Sequence, residues 1–185
     1  MASRLRFSYV WLSLAFVFFV ASFAQAAVKE EIDYQSLFDS QLKRNGKFLD
    51  LNGKKIGDEG VRFLIGSPVI AGLEKLDLRY NDLSAEGARL LSSAQFPKLK
   101  KLILRHNILG DAGALEVAAS SGFPVLEELQ LNWAEVRDEG ALAFAENRDR
   151  FPRLKKLDLR GNFLSGDTKE TLKQKLSYLK SLELY

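Results

Sequence analysis

Few side chains in this 185-residue chain could carry out chemistry. Cysteine is absent and His106 is the single histidine, so the sequence contains no thiolate nucleophile and no set of nitrogen and sulfur ligands for zinc. It also lacks a nucleophile elbow and a glycine-rich phosphate loop. Carboxylates such as Asp50 and Asp77 are candidates for acid–base work, but an open surface lacks the desolvation that shifts a catalytic pKa. We therefore predict no catalytic activity, no metal site and no cofactor.

A second set of acids recurs along the chain. Asp58, Asp111 and Asp138 each stand two residues before a glycine, at the start of a stretch rich in Ala, Leu or Val, and Ser84 and Ser165 serve the other copies. The acids could be a row of metal ligands, or they could cap the N-termini of helices. Capping explains their position in every copy and needs no ion, so the sequence favours capping.

These residues belong to a repeat with the pattern LxxLxLxxNxL. Its copies begin at Gly46, Leu73, Leu99, Leu126, Leu154 and Leu179, at intervals of 25 to 28 residues. Alternation within the xxLxL segment predicts a strand whose leucines face the core. A helix then follows in each copy. The fold class predicted is α/β, a repeat solenoid of about five and a half units with parallel strands on the concave side and helices on the convex side.

An asparagine follows the strand in most copies. Asn81, Asn107 and Asn162 hold this position, where an amide can bond the backbone of a turn that has no other partner. Lys54 and Ala134 replace the asparagine in the first and fourth copies. We therefore expect the turns at Lys54 and Ala134 to be looser or differently built.

The strand, the asparagine turn and the Asp-x-Gly helix start together resemble the ribonuclease-inhibitor-like class of leucine-rich repeats, over about residues 46–185. The resemblance implies a short right-handed horseshoe that binds a protein through its concave strand face. The chain departs from that class in its few repeats, its lack of cysteine and its export signal. For this reason the resemblance does not imply a ribonuclease as the partner.

The N-terminal segment has a different composition. Arg4 and Arg6 precede an apolar run, and Ala24-Gln25-Ala26 ends it, which predicts a secretory signal peptide over residues 1–26 with cleavage after Ala26. Residues 8–28 are also long enough to be an uncleaved membrane anchor, and only in that case would the protein contact a membrane. Residues 27–45 are predicted to form a capping helix ahead of the repeats at 46–185.

Export together with the absence of cysteine predicts a secreted, periplasmic or cell-surface protein. Without Arg4 and Arg6 the chain has 25 basic and 24 acidic side chains, a net charge of +1. A nearly neutral chain offers no general basic surface for nucleic acid. We therefore predict no nucleic-acid partner, and we expect a monomer, although the last strand, near Ser181 to Tyr185, could pair with a second copy.

In-register strands would align equivalent outward residues in columns on the concave face. The predicted partner-binding residues are those of the central columns together with the aromatic residues just past the strands: Lys75, Asp77, Arg79, Tyr80, Lys101, Ile103, Arg105, His106, Gln130, Asn132, Trp133, Asp158 and Arg160. The alternative for the charged columns is a solvated face of mutually neutralising pairs. The partner is predicted to be a protein, because Tyr, Trp and Arg are enriched at binding hot spots. A cell-envelope structural role or a glycan stacked on the rings is the alternative.

Overall fold

Seven short strands form one sheet in the computed structural model, which describes residues 32–185. The predicted signal peptide lies outside the described residues. The strands are β1 (Leu42–Lys43), β2 (Phe48–Asp50), β3 (Lys75–Asp77), β4 (Lys101–Ile103), β5 (Glu128–Gln130), β6 (Lys156–Asp158) and β7 (Ser181–Glu183). They lie in chain order across the sheet, and all neighbours from β2 to β7 are parallel. This arrangement confirms an α/β repeat solenoid.

One helix connects each pair of parallel strands. The helices are α1 (Tyr34–Gln41), α2 (Gly57–Gly66), α3 (Ala85–Ser93), α4 (Gly110–Ala119), α5 (Asp138–Glu146) and α6 (Gly166–Lys175), with short 3₁₀ turns at Pro68–Ala71 and Arg148–Arg150. Parallel strands require such a crossover, because a tight hairpin can join only antiparallel ones. Such crossovers have the same hand, and the strands lie in chain order. The helices that connect the strands therefore all lie on one side of the sheet and leave the other side open.

The leucines of the repeat form the core, as the alternation predicts. Leu76, Leu102, Leu129 and Leu157 are fully buried and belong to one continuous cluster with residues of the helices. The phenylalanine that precedes proline in three copies is buried too, and the rings of Phe96 and Phe123 stack with centroids 5.5 Å apart. Each unit thus buries its apolar face against its neighbours rather than alone.

The asparagine turns are joined across repeats. Asn107 Oδ1 accepts hydrogen bonds from the backbone N–H groups of Asn81 and Leu83, at 3.1 and 3.0 Å. Its Nδ2 donates to the carbonyl oxygens of Leu78 and Leu104, at 2.9 and 2.8 Å. The amides of Asn81 and Asn162 bond the preceding repeat in the same way. Each amide therefore ties its own repeat to the one before it.

The expectation of a loose turn at Ala134 was wrong in its location. Ala134 is fully buried, and its N–H donates to Asn162 Oδ1 at 3.1 Å. The missing amide instead affects the preceding turn, at Asn107. That turn keeps a backbone bond from the Gly110 N–H to the Ala134 carbonyl at 3.0 Å. Each asparagine amide bonds the turn of the preceding repeat, so a substitution at this position removes hydrogen bonds from that earlier turn.

The recurring acids link repeats in the opposite direction. Asp111 Oδ1 accepts from the N–H groups of Arg137 and Gly140, at 2.7 and 3.0 Å, and these residues lie at the start of α5. Asp138 accepts from the Ser165 N–H at 2.8 Å. The capping prediction therefore holds across repeats: Asp111 caps α5 of the next repeat, and Asp138 binds the N-cap residue Ser165 of α6. Each of the two acids also lies in the first turn of its own helix. Ser84 and Ser165 do cap their own helices, as predicted.

The segment ahead of the repeats contains a shorter helix than predicted. Helix α1 ends at Gln41, and Leu42 belongs to β1, which pairs with β2 in antiparallel register. Phe38 is buried, and Tyr34 and Leu37 pack against the core. The described part of this segment thus covers the first repeat with both a helix and a strand. Between residues 32 and 185, no helix is long and apolar enough to cross a membrane.

Candidate protein-binding surface

The side of the sheet opposite the helices has the register that the sequence predicts. Lys75 pairs with Lys101, which pairs with Glu128. Asp77 likewise pairs with Ile103, and Ile103 with Gln130. We call this surface, from the strands to the residues just past their ends, the open strand face. It brings all the predicted partner-binding residues onto one side of the molecule.

Burial differs from the expectation of display at four of these positions. Asp77, Ile103, Asn132 and Asp158 expose 0, 4, 5 and 8% of their surface. The guanidinium groups of Arg79 and Arg160 cover Asp77 and Asp158. In the free chain these four residues therefore act mainly on their neighbours, and the exposed part of the face is formed by lysines, arginines and rings.

Two of the arginines form internal ion pairs. Arg79 donates through Nε and Nη2 to the two carboxylate oxygens of Asp77, at 2.9 and 2.8 Å. Arg160 makes the same bidentate contact with Asp158, at 3.0 and 2.7 Å. In both pairs hydrogen bonds to the carboxylate raise the pKa of the arginine. The alternative of mutually neutralising charges thus describes these two pairs.

Lys101, Gln130 and Lys75 have different partners. Lys101 Nζ lies 2.6 Å from Glu128 Oε1, and Gln130 donates to the same oxygen at 2.7 Å. Lys75 Nζ instead lies 4.0 Å from the centroid of the Phe48 ring. Desolvation lowers the pKa of Lys75, and the positive charges of Lys101 and Arg79 lower it further. The surroundings of Lys75 therefore disfavour its positive charge, and a carboxylate of a partner would stabilise that charge.

Three aromatic side chains form a stacked row just past the strand ends. The ring centroids of Tyr80 and His106 are 4.3 Å apart with 14° between their planes. Those of His106 and Trp133 are 5.8 Å apart with 10° between planes. Tyr80 and Trp133 expose 47 and 53% of their surface. We call Tyr80, His106 and Trp133 the aromatic row.

The backbone of the aromatic row is strained. Tyr80, His106 and Trp133 have φ of 54, 54 and 58°, in the left-handed region. Glycine occupies the equivalent place in the repeats on either side, where Gly53 and Gly161 have φ of 69 and 68°. A non-glycine residue in this region costs on the order of 1 kcal/mol or more. Such strain is concentrated at functional sites, where it holds a side chain in a fixed orientation.

Gly161 forms a floor for Trp133. A Cβ atom at Gly161 would lie 2.4 Å from Cδ2 and Cε2 of the indole, so the ring covers the glycine directly. His106 stacks on the other side of Trp133. Desolvation and the charge of Arg105 both lower the pKa of His106, which favours the neutral imidazole. A neutral ring stacks without introducing a buried charge.

Arg105 differs from the other two arginines. Ile103 takes the place that Asp77 and Asp158 hold in their repeats, so within residues 32–185 no carboxylate forms an ion pair with Arg105. Its Nε is buried and has no hydrogen-bond partner. The same is true of Oδ1 of Asn132 on the adjacent strand. Ile103 stood out among acids in the predicted column, but the two unpaired buried atoms appear only in the structure.

No group of His, Cys, Asp and Glu in the described residues has an arrangement that could hold a metal ion. A cleft of about 180 Å³ on the open strand face is bordered by Gln130, Asp158 and Arg160. It is shallow and lined by charged and amide side chains. The geometry therefore fits contact with a macromolecular surface better than enclosure of a small molecule.

Comparison with known families identifies the class. Residues 73–92, 97–118 and 124–145 match a family model described as Leucine Rich repeat, and residues 153–174 match another described as Leucine Rich Repeat. The chain is a leucine-rich repeat protein. No curated protein sequence matches it.

Comparison with solved structures gives two similar chains, of which the first supports the fold. The leiomodin-1 actin-binding site 2 is 15% identical, with 80% of this chain and 79% of that chain covered, at a TM-score of 0.50. The Rad7 and Elc1 complex in yeast is 14% identical, with 63% of this chain and 43% of that chain covered, at a TM-score of 0.39. At such low identity the likeness concerns the fold alone.

Proposed function

We propose that this chain is an exported, non-catalytic module that binds a protein through its open strand face, with the aromatic row at the centre of contact. Leucine-rich repeat domains are generally interaction modules, and the leiomodin-1 structure is that of an actin-binding site. The observation that carries the proposal is the aromatic row itself. Three rings are held in a strained conformation at positions where the flanking repeats use glycine.

The strain argues for binding rather than for stability. Glycine at position 80 or 133 would relieve the backbone conformation without loss of a core residue, because Tyr80 and Trp133 are about half exposed. Large rings fixed on an exposed surface bury much area on binding at little further entropy cost. Tyr80 and Trp133 are therefore placed as hot-spot residues, each contributing about 2 kcal/mol or more to binding.

A protein fits this surface better than a glycan. Sugar rings stack on open aromatic faces, but the rings of the aromatic row cover one another, with 14 and 10° between planes. Trp133 is further covered by Gly161 on its other side. Tyr80 and Trp133 keep about half of their surface exposed, so part of each ring remains open to a partner. Edges are suited to apolar and hydrogen-bonding side chains of a protein partner.

The experiment replaces Tyr80 and Trp133 by glycine, the residue that Gly53 and Gly161 place at this position. The full chain and each variant are immobilised, and an envelope or secreted extract of the source cells is passed over them with quantitative mass spectrometry. A protein retained by the wild type should lose at least about thirtyfold in affinity with each variant, the equivalent of about 2 kcal/mol.

Tyr178→Ala is the matched control, because Tyr178 exposes 51% of its surface against 47% for Tyr80 and lies away from the aromatic row. It should retain the same protein. Far-UV circular dichroism should be unchanged in all variants. Equal retention by Tyr80→Gly, Trp133→Gly and the wild type would refute the aromatic row as the contact.

Export is tested separately. The mature N-terminus of the protein, isolated from its source cells, should be Ala27, with residues 1–26 removed. Recovery of an intact N-terminus in the membrane fraction would instead support the anchor alternative.

A further inference from the structure

A repeated charge pattern is interrupted at one place on the open strand face. Arg79 and Arg160 each bind the carboxylate that precedes them by two residues. Arg105 occupies the equivalent position, but Ile103 stands where the carboxylate would be. The described part of the chain places no carboxylate within ion-pair distance of Arg105, and its Nε is buried without an acceptor.

The adjacent strand presents a second unpaired polar atom. Asn132 is the neighbour of Arg105 in the same column, and equivalent positions on neighbouring strands lie about 4.8 Å apart. Asn132 is 95% buried, with 5% of its surface exposed, and its Oδ1 has no donor. The two residues with unpaired buried atoms are therefore neighbours on adjacent strands, and each directly precedes a ring of the aromatic row in the chain. Leaving such atoms unpaired is unfavourable, so an occupant that pairs both would gain affinity.

We propose that Arg105 receives the carboxylate of an aspartate or glutamate in an extended segment of the protein partner, while Asn132 Oδ1 accepts a backbone N–H of the same segment. This inference rests on the proposed function and names the chemistry of its partner. An acidic residue in a peptide supplies the required acceptor and donor a few ångströms apart. The bidentate contacts of Arg79 and Arg160 show the geometry that a carboxylate adopts against this sheet.

The charges around the site favour an anionic segment. Asp77 is neutralised by Arg79, and Glu128 by Lys101. Arg105 and Lys75 remain without a carboxylate partner among the described residues, and Lys75 lies over the Phe48 ring. An acidic segment that crosses the strands at Arg105 would therefore meet a guanidinium without a carboxylate partner. A guanidinium is well suited to it, because it binds carboxylates with two parallel hydrogen bonds.

The experiment pans a phage-displayed library of random twelve-residue peptides on the full chain and on Arg105→Gln. Peptides selected on the wild type should be enriched in Asp or Glu at one position at least about threefold over the library, beside an apolar residue for the aromatic row. On Arg105→Gln the acid enrichment should disappear. Arg89→Gln is the matched control, because Arg89 pairs with Glu86 within helix α3 and lies outside the open strand face, and it should select the same acidic peptides as the wild type.

A selected peptide is then synthesised with its acid and with the corresponding amide, and affinities are measured by fluorescence polarisation. The amide should bind the wild type at least about tenfold more weakly, as expected for a charge-assisted hydrogen bond. Arg105→Gln should bind both peptides equally. Asn132→Ala should weaken both peptides by a similar factor, because it removes an acceptor that does not contact the acid.

Several outcomes would overturn the inference. These are selection of peptides without acids, acid enrichment that persists on Arg105→Gln, or recovery of no peptide above background. Retention of an acidic polysaccharide by the wild type in place of peptides would assign the site to a glycan. If Tyr80→Gly and Trp133→Gly abolish partner binding but Arg105→Gln does not, the proposed function stands and this inference alone fails.

Discussion

Ile103→Asp should give Arg105 the internal partner that its neighbours possess. In the adjacent repeat, the Asp77 carboxylate accepts from Arg79 Nε, from Nη2 and from the backbone N–H of Arg79, at 2.9, 2.8 and 3.3 Å. The introduced carboxylate should form the same three contacts with Arg105. It should thereby satisfy the buried Nε and close the site to an acidic partner.

The effect on stability has two opposing parts. Ile103 is 4% exposed, and loss of its buried side chain costs about 1.5–3 kcal/mol. Ile103→Asn suffers the same loss without gaining an ion pair. A hydrogen bond to a charged group contributes about 1.5–3 kcal/mol, reduced here by desolvation and by the nearby Asp77. At pH 7 the aspartate variant should therefore be more stable than the asparagine variant by about 1–2 kcal/mol.

Urea unfolding followed by far-UV circular dichroism measures this difference without any knowledge of the partner. The same pair of substitutions in an Arg105→Gln background forms a double-mutant cycle, and there the advantage of aspartate over asparagine should vanish. The reasoning is refuted if the two variants are equally stable at pH 7. It is also refuted if the difference survives the loss of the guanidinium.

Further predictions concern the supports of the repeat and of the aromatic row. Asn107→Ala removes four hydrogen bonds at a residue that is 2% exposed and should lower the free energy of unfolding by about 3 kcal/mol, measured in urea. Gly161→Ala places a Cβ 2.4 Å from the Trp133 indole at a φ of +68°. The substitution should lower the free energy of unfolding by about 1–2 kcal/mol. It should also weaken partner binding as Trp133→Gly does, because the indole must move. Lys100 and Lys47 hold the pKa of Glu74 at about 2, against an ordinary value of 4.5. Its contribution to stability is therefore complete above pH 4.5 and is lost as the pH falls toward 2, so Glu74→Gln should flatten the dependence of Tm on pH in that range.

Each of these predictions has a clear contrary result. Asn52→Ala removes an exposed amide just past the strand of the first repeat, two residues before the position equivalent to Asn107, and should change stability by less than about 0.5 kcal/mol. A similar loss in both asparagine variants would contradict the role of Asn107 in joining the repeats. Gly53→Ala has the same φ region but no ring above it, so an equal loss of binding there would contradict the role of Gly161 as the floor of Trp133. For Glu74, an unchanged pH profile in the glutamine variant would show that its ion pairs are not maintained in solution.

The architecture follows from the sequence because each repeat has the same pattern of leucines and polar residues. Alternating leucines predict which side of each strand is buried, and the strand register then follows from the alignment of the copies. The asparagines predict hydrogen bonds between neighbouring repeats. These features depend on backbone geometry and on spacing, which vary little from one copy to the next.

The site was harder to predict because it depends on the lengths of particular side chains. Asp77 and Asp158 are outward in the pattern, but arginines fold over them and bury them. The left-handed backbone of the aromatic row is signalled only by glycine at the same position in the outer repeats, a comparison that matters once the repeats are aligned. The contact of Asp111 with the start of the next helix joins two repeats, and the pattern of a single repeat does not show it.

The two kinds of link between repeats run in opposite directions along the chain. An asparagine amide reaches back to the turn before it, and an aspartate carboxylate reaches ahead to the helix after it. Deletion of one repeat from the middle would therefore leave one asparagine amide and one aspartate carboxylate without hydrogen-bond partners at the new junction, unless the joined repeats carried the same pair. The array can thus lengthen or shorten only by whole repeats, and an engineered junction should join equivalent positions of two repeats.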